Sequence, residues 1–303
     1  MAVEAPVHQP APLQLSERRR RRLATTGLLS GPLLWLAAFF LAPVALIALY
    51  SVNVFSLYPG EAGFTFAAWT DFINGSVYLG LFWKSVRMAL IVSALVVVLA
   101  YPGAYALALC ATKRKYVLLL VLIAPAFVSY FLRILAWKVI LGDQGVINSF
   151  AYWTGVRDPD HPISQLLYSQ FSVMLVLAYV WIPFVALPIF VALENLDRRL
   201  LEAASDLGAT RWQAFRRVTL PLSMPGVVAA FIFIFIPTIG EYFAPLLVGG
   251  TSGSMFGNAI ADQFGASLNW LQGSVFSFFL LVVVGILMAV FARFLTVKRM
   301  ATG

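Results

Sequence analysis

Only thirteen carboxylates serve the 303 residues of this chain, so the setting of each narrows the chemistry open to it. Glu241 stands in an otherwise apolar run, Pro237-Thr238-Ile239-Gly240-Glu241-Tyr242-Phe243. A charge in hydrocarbon is costly and by default marks a functional position. With Tyr242 and Phe243 beside it, Glu241 could hold an organic ammonium by charge pairing and cation–π contact. A structural reading stands beside this one, in which Glu241 is an interfacial glutamate or the partner of Arg133 or Lys138. Those two cations lie on an earlier apolar stretch, where long side chains can snorkel to the interface. Tyr130 and Trp137 on the same stretch either line a path or belong to an interfacial aromatic belt.

The second setting is Glu202-Ala203-Ala204-Ser205-Asp206-Leu207-Gly208, closed by Leu220-Pro221. Its chemistry is recognition, not bond making. Asp197 can cap a helix from Arg198 to Leu207 by accepting from a first-turn amide. Gly208 then falls where a left-handed backbone ends the helix most cheaply. Thr210 and Gln213 form a T-x-x-Q capping box for a second short helix. On the first helix Leu200, Leu201, Ala204 and Leu207 make an apolar stripe. Ala203 and Ala204 allow another backbone to approach, and Glu202 and Asp206, one turn apart, offer charge to a basic partner. An amphipathic helix lying on lipid headgroups accounts for the leucines and arginines. It does not account for the order and spacing of Glu-Ala-Ala, Gly208 and Leu220-Pro221, so a partner-docking helix is the expectation.

Catalytic and metal chemistry find little footing. The two histidines, His8 and His161, fall outside the apolar runs. Asp158, Asp160 and His161 sit in a segment rich in turn residues and read as solvated turns, without the further ligands in fixed register that a metal needs. Cys110, the single cysteine, excludes a disulfide framework and reads as a small apolar residue at the end of a span. No G-x-x-x-x-G-K-[ST] phosphate loop is present, and Gly249-Gly250-Thr251-Ser252-Gly253 lacks the lysine. Asn74-Gly75-Ser76 matches a glycosylation acceptor too short and common to carry weight.

The elements that must position these residues are membrane spans. The chain is 61% hydrophobic and 11% charged, against about 25% charged in a soluble domain. About 20 apolar residues cross a bilayer as a helix, and six stretches qualify, near 28–50, 81–109, 116–141, 171–193, 222–248 and 270–294. The first is too long for the core of a cleaved signal peptide, about 7–15 residues, and reads as a retained anchor. Arg18–Arg22 before it predict a cytoplasmic N-terminus, and six crossings return the C-terminus to that side. Lys113–Lys115, Arg198, Arg199, Arg211, Arg216, Arg217, Lys298 and Arg299 then also fall inside, with Arg157 the clear outside exception. The net charge of +8 is thus a topology and membrane-surface signal, and nucleic acid is not an expected partner. Pro43, Pro102, Pro125, Pro183, Pro188, Pro237 and Pro245 fall inside the predicted spans, where each removes a backbone donor. The expected organisation is a basic cytoplasmic tail at 1–27, a six-span membrane domain at 28–296 with the docking loop at 194–224, and a cytoplasmic tail at 297–303.

The order Glu202-Ala203-Ala204, Gly208 and Val218-Thr219-Leu220-Pro221 resembles the cytoplasmic EAA loop of permease subunits of bacterial ATP-binding-cassette (ABC) importers, with Val218 where isoleucine is commonest. The resemblance extends from about Leu28 to Ala292. Within that family it is nearest to the spermidine/putrescine permease group, on Tyr130-Phe131-Leu132-Arg133, Ala136-Trp137, Leu141-Gly142, Gly145 to Asn148, Pro237 to Pro245, Leu246 to Gly250, Gly257-Asn258 and Asp262-Gln263-Phe264. It implies an all-α integral membrane protein with the six-helix type I importer permease fold, in a bacterial inner membrane. It also implies partners: a dimer of ABC ATPase subunits that binds ATP and magnesium, a second and different permease subunit, and an extracytoplasmic solute-binding protein. Glu202, Ala203, Ala204, Asp206, Gly208, Leu220 and Pro221 would couple to the ATPase, and this chain would hydrolyse no ATP and hold no cofactor or metal. The implied cargo is a polyamine, although relatives carry other small solutes such as opines, amino-acid derivatives, iron or other ions.

Two other classes remain for comparison. A membrane enzyme needs His, Asp or Glu gathered at one site, and Glu241 is alone. An ion-coupled secondary transporter often shows inverted repeats, and none is evident.

Overall fold

With lipid as solvent, an apolar run satisfies its own backbone only as a helix, and every regular element among the described residues is helical. The computed structural model describes residues 15–56, 60, 62–110, 114–155, 163 and 166–301, with backbone only at 15–23, 110 and 294–301. Lys113, Arg157, Asp158, Asp160 and His161 lie outside the described residues, as does His8.

Helix α1 (Leu15–Ser51) carries the basic run and the first apolar stretch as one rod through Pro32 and Pro43. α2 (Ala67–Asn74) is short and buries Ala68 and Phe72. α3 (Ser76–Tyr105) continues into a wide π-type turn, Ala106–Cys110, just after Pro102. α4 (Lys115–Ile123) runs into a 3₁₀ turn at Ala124–Phe127, followed by α5 (Tyr130–Leu141) and α6 (Val146–Trp153). α7 (Gln170–Glu194) starts at a reciprocal Ser169–Ser172 cap. α8 (Arg198–Asp206) and α9 (Arg211–Ala214) form an elbow, and a π-type turn at Phe215–Thr219 leads into α10 (Leu220–Ile239). A second π-type turn at Pro245–Gly249 joins α11 (Gly250–Gly253), and α12 (Phe256–Phe264) and α13 (Trp270–Ala301) complete the described chain.

Five stretches are long and apolar enough to cross a membrane: Ala24–Ser51, Ser76–Leu109, Gln170–Glu194, Arg211–Ile239 and Trp270–Arg293. The sixth is a broken pair, Lys115–Phe127 and Tyr130–Trp153, bent by 85°. The predicted span at 116–141 is therefore not straight. Pro125 cannot donate to the preceding turn, and Val128 and Ser129 take extended ψ angles of 141° and 134°. The predicted span at 222–248 also stops early, at Ile239, and the chain re-enters helical geometry only near Pro245. Of the prolines inside the predicted spans, Pro125 and Pro245 lie at these breaks, whereas Pro43, Pro102, Pro183, Pro188 and Pro237 are inside helices.

The core has two parts. α3, α7 and α10 pack against one another around Val92, Val96, Val176, Leu177, Ile189, Ala230 and Ile234. Phe72, Phe82, Phe256 and Phe276 fill a second cluster among α2, α3, α12 and α13, with ring centroids 5.1 Å apart for Phe72–Phe276 and 5.5 Å for Phe82–Phe256. Aromatic pairs at such separations add about 0.5–1.5 kcal/mol beyond burial. α1 packs chiefly against α13, leaving most of its apolar surface exposed.

Candidate functional site

The elbow is built by local capping. Asp197 Oδ1 accepts from the Arg199 amide at 3.0 Å, which starts α8. Its end is a Schellman motif: Ala209 N donates to Ala204 O at 3.0 Å and Gly208 N to Ser205 O at 2.9 Å, with Gly208 at φ +81°. Gln213 N donates to Thr210 Oγ1 at 3.3 Å, and Thr210 N donates to Gln213 Oε1 at 2.9 Å. Both caps read from the sequence are therefore in place, and the helices turn where the capping residues require.

No residue of α8 is buried. Glu202, Ala203, Asp206, Leu207 and Gly208 are exposed, while Leu201 and Ala204 are half-buried. Leu207 is 89% and Trp212 66% exposed. Neither Glu202 nor Asp206 makes an ion pair among the described residues. Leu220 and Pro221 form the first turn of α10, Leu220 half-buried and Pro221 exposed. A capped elbow thus displays Leu207, one face of Trp212 and two unpaired carboxylates at its surface, as a docking element would.

The elbow is tied to the core by contacts the sequence did not announce. Phe215 meets Tyr101 and Tyr105 of α3 edge-on, with centroids 5.9 and 5.6 Å away, and stacks on Trp212 at 5.3 Å. The Tyr101 hydroxyl shares a hydrogen bond with Ser223 Oγ at 2.9 Å. Lys115 Nζ pairs with Glu194 Oε1, joining the start of α4 to the end of α7, and Arg198 Nη2 donates to Ala108 O at 3.4 Å. The only sequence hint was Tyr101 and Tyr105 one turn apart on α3.

Glu241 lies at the far end of α10 from the elbow, but not within the span as its position in the apolar run implies. It sits past the helix end, and its Oε1 accepts from Phe243 N at 2.8 Å and Ala244 N at 3.3 Å. The carboxylate therefore caps the re-entering segment, where a negative charge meets free amides at a helix start. It forms no ion pair with Arg133 or Lys138, the structural partners offered by the sequence. Ser129, Tyr130, Phe131, Pro237, Gly240, Glu241, Tyr242 and Phe243 line an open cleft of about 590 Å³, which brings together Tyr130, Glu241 and Tyr242.

Arg133 does not snorkel. It is buried, 7% exposed, with Nη1 donating to Val180 O at 3.3 Å and its charge 5.9 Å from the Tyr130 ring centre. The reason is the break at Val128–Ser129, which turns α5 across the core and carries Arg133 inward. The Tyr130 hydroxyl is buried without a hydrogen-bond partner in good geometry. Trp137 packs on Tyr179 at 5.4 Å and turns toward the core, whereas Tyr130 packs at 6.2 Å on Phe243, a fellow member of the cleft wall. Trp137 does not line the cleft. No group of His, Cys, Asp and Glu among the described residues could hold a metal ion.

A family model described as the inner membrane component of binding-protein-dependent transport systems matches residues 27–302. The chain belongs to this family. The permease is 36% identical over 217 residues to the spermidine/putrescine transport system permease protein PotB of Escherichia coli, spanning 72% of this chain and 78% of that one. It is 33% identical over 264 residues to PotB of Haemophilus influenzae, covering 86% and 90% of the two chains. Its fold matches a bacterial ABC transporter involved in the import of the acidic polysaccharide alginate, with a TM-score of 0.72, 17% identity and coverage of 94% of the permease and 99% of that chain. The permease is thus a multi-pass inner-membrane subunit of an ABC importer, with the type I fold. It is not the catalytic subunit, since ATP hydrolysis belongs to a separate chain.

Proposed function

We propose that this permease forms, with a second and different permease subunit, the membrane path of a polyamine importer. An extracytoplasmic solute-binding protein delivers the cargo, and a dimer of ATPase subunits, holding ATP and magnesium, binds beneath. The reading places both termini in the cytoplasm. Support for the cargo comes from PotB, named for spermidine and putrescine, which is 36% identical over most of the chain. Support for the coupling role comes from the elbow. Glu202, Ala203, Ala204 and Asp206 on α8 and Gly208 just past its end, with Leu220 and Pro221 at the start of α10, form the surface that seats in an ATPase subunit.

The geometry gives this role a mechanism. α8 and α9 are short, capped and joined through Phe215 to α3, so a displacement of the elbow passes to α3 and α10 as a rigid movement. Interfaces of this kind switch between discrete packings and do not deform continuously. Closure of the ATPase pair would draw the two elbows of the permease pair together and turn the path from inward- to outward-facing. At the opposite end the cleft would receive the cargo. Glu241 supplies the carboxylate, Tyr130 and Tyr242 supply ring faces for an alkylammonium, and buried Arg133 keeps the chain's own positive charge out of the opening. Trp137, packed on Tyr179, supports that wall without lining the cleft.

The single observation that carries the coupling reading is the capped elbow that holds Leu207 89% and Trp212 66% exposed beside unpaired Glu202 and Asp206, a mixed apolar and charged surface suited to a partner. The test of the whole reading is direct. Radiolabelled putrescine and spermidine, with an opine, an amino acid and ferric ion as comparisons, are offered to the cognate binding protein and then to proteoliposomes holding the full importer. Saturable, ATP-dependent uptake of the two polyamines alone is expected. Uptake of an anionic or neutral solute in their place would overturn the cargo, and a purified assembly with no ATPase subunit would overturn the role.

A further inference from the structure

The break between Ile239 and Pro245 is braced from one side by the first turn of α12. Gly257 stands so close to it that a Cβ built there would lie 2.5 Å from Gly240 O and 2.7 Å from Glu241 O. Real side chains do not occupy such space, so glycine is what lets α12 press on these carbonyls. Asn258 then spans the junction. Its Oδ1 accepts from Met255 N at 2.9 Å, and its Nδ2 donates to Tyr242 O at 2.9 Å. α12 is itself anchored in the core, because Phe256 N donates to Ser85 Oγ of α3 at 2.7 Å in a buried contact.

Tyr242 O receives two hydrogen bonds, from Leu246 N at 3.0 Å and from Asn258 Nδ2. Tyr242 follows Glu241 directly, and Glu241 Oε1 is fixed by the amides of Phe243 and Ala244. The peptide held by Asn258 therefore sets where the Glu241 carboxylate stands in the cleft.

We propose that Gly257 and Asn258 form a clamp, with Asn258 a positioning residue that holds the Glu241 carboxylate and the Tyr242 ring in place to meet the cationic cargo. This rests on the polyamine-path reading above and adds to it the residues that aim the site. Asparagine suits the task because one amide both accepts and donates. Aspartate would keep the acceptor toward Met255 N but present a second acceptor to Tyr242 O, and so would repel where asparagine attracts.

The experiment uses the full importer in proteoliposomes with saturating binding protein, measuring spermidine taken up per ATP hydrolysed. Asn258→Asp, Asn258→Ala, Glu241→Gln and the double variant Asn258→Asp/Glu241→Gln are compared, with recovery of the intact assembly scored for each. Expected is a loss of about five- to tenfold in uptake per ATP for Asn258→Asp, the scale of one hydrogen bond, with assembly intact. The double variant should lose no more than Glu241→Gln alone. Asn258→Asp with normal uptake per ATP, beside an impaired Glu241→Gln, would overturn the clamp and leave the cation path standing. Losses that multiply in the double variant would show that Asn258 acts elsewhere and would also overturn it. An unaffected Glu241→Gln would remove both the path assignment and the clamp built on it. Loss of assembly in both Asn258 variants, with normal uptake per ATP in what survives, would reduce Asn258 to a purely structural residue and overturn the proposal.

Discussion

Gly226 of α10 crosses Ala192 of α7 so closely that a Cβ on the glycine would stand 2.3 Å from the Ala192 methyl and 3.0 Å from Pro188 O. Small residues at such crossings let helix backbones meet where lipid gives no hydrophobic drive for association. The two helices are also the ones that lead out of and into the elbow, so their crossing fixes the base from which the elbow projects.

Gly226→Val should therefore force α7 and α10 apart. Overpacking of this kind costs about 1–3 kcal/mol. The detergent-purified variant is expected to melt several degrees below the parent and to aggregate on heating. An unchanged melting temperature would contradict the crossing geometry.

Gly208→Asp should insert into the membrane normally yet abolish uptake and loosen the ATPase. At φ +81° a non-glycine residue costs about 1–2 kcal/mol, least for Asn and Asp, and the space around the glycine is open, so the loss in the Asp variant comes chiefly from a new charge on the exposed docking surface. Asn, which tolerates this backbone, should retain more activity than Ala. Co-purification with the ATPase subunit, measured for the three variants, checks the order.

Leu207→Asp tests the exposed face without touching the backbone. Truncating or charging an anchor at an interface centre costs about 2 kcal/mol or more, so ATPase affinity should fall by at least about thirtyfold. Thermal stability of the isolated permease should not change, since Leu207 contributes nothing to its core. A variant that binds the ATPase normally would place the contact elsewhere on the elbow.

Glu241 carries two separable roles, charge and cap. Glu241→Gln keeps an oxygen able to accept from Phe243 and Ala244 and removes only the charge, so it should weaken transport of cationic cargo while sparing stability. Glu241→Ala removes both and should add a capping loss of about 1 kcal/mol. Uptake assays paired with thermal melts separate the two, and equal stability losses for Gln and Ala would deny the cap.

Lys115 and Glu194 join α4 to α7 with side chains 18% and 27% exposed. Either Lys115→Met or Glu194→Gln leaves its partner's charge half-buried and unpaired and should destabilise by about 1 kcal/mol, the upper range for pairs near a surface. The exchanged pair, Lys115→Glu with Glu194→Lys, should recover most of the loss in a double-mutant cycle. Full additivity of the two single changes would show that the contact contributes nothing.

The resemblance that runs from about Leu28 to Ala292 was legible because it is carried by residue order, and so was the membrane class, because it is carried by composition. The caps were legible for a different reason. Asp197, Gly208, Thr210 and Gln213 act within four residues of themselves, so their types and spacing contain the geometry. The cleft was not legible in this way. Hydropathy registers that 116–141 and 222–248 are apolar but does not register where the backbone stops being helical, since a proline or glycine can be absorbed or can end the helix according to its neighbours. Arg133 illustrates the consequence: read on a straight span it reaches for the interface, and on the bent one it is buried against Val180.

What the sequence alone determined is therefore the local and the averaged: apolar lengths, charge asymmetry, helix starts and stops at the elbow, and the order of residues that marks the family. What only the tertiary structure decided is how non-adjacent parts meet: Phe215 between Tyr101 and Tyr105, Gly226 on Ala192, and α12 under the break that turns Glu241 from a residue of a span into a cap facing a cleft. The physical reason is that these contacts join residues that lie far apart in the chain, and no property of either partner taken singly specifies the other.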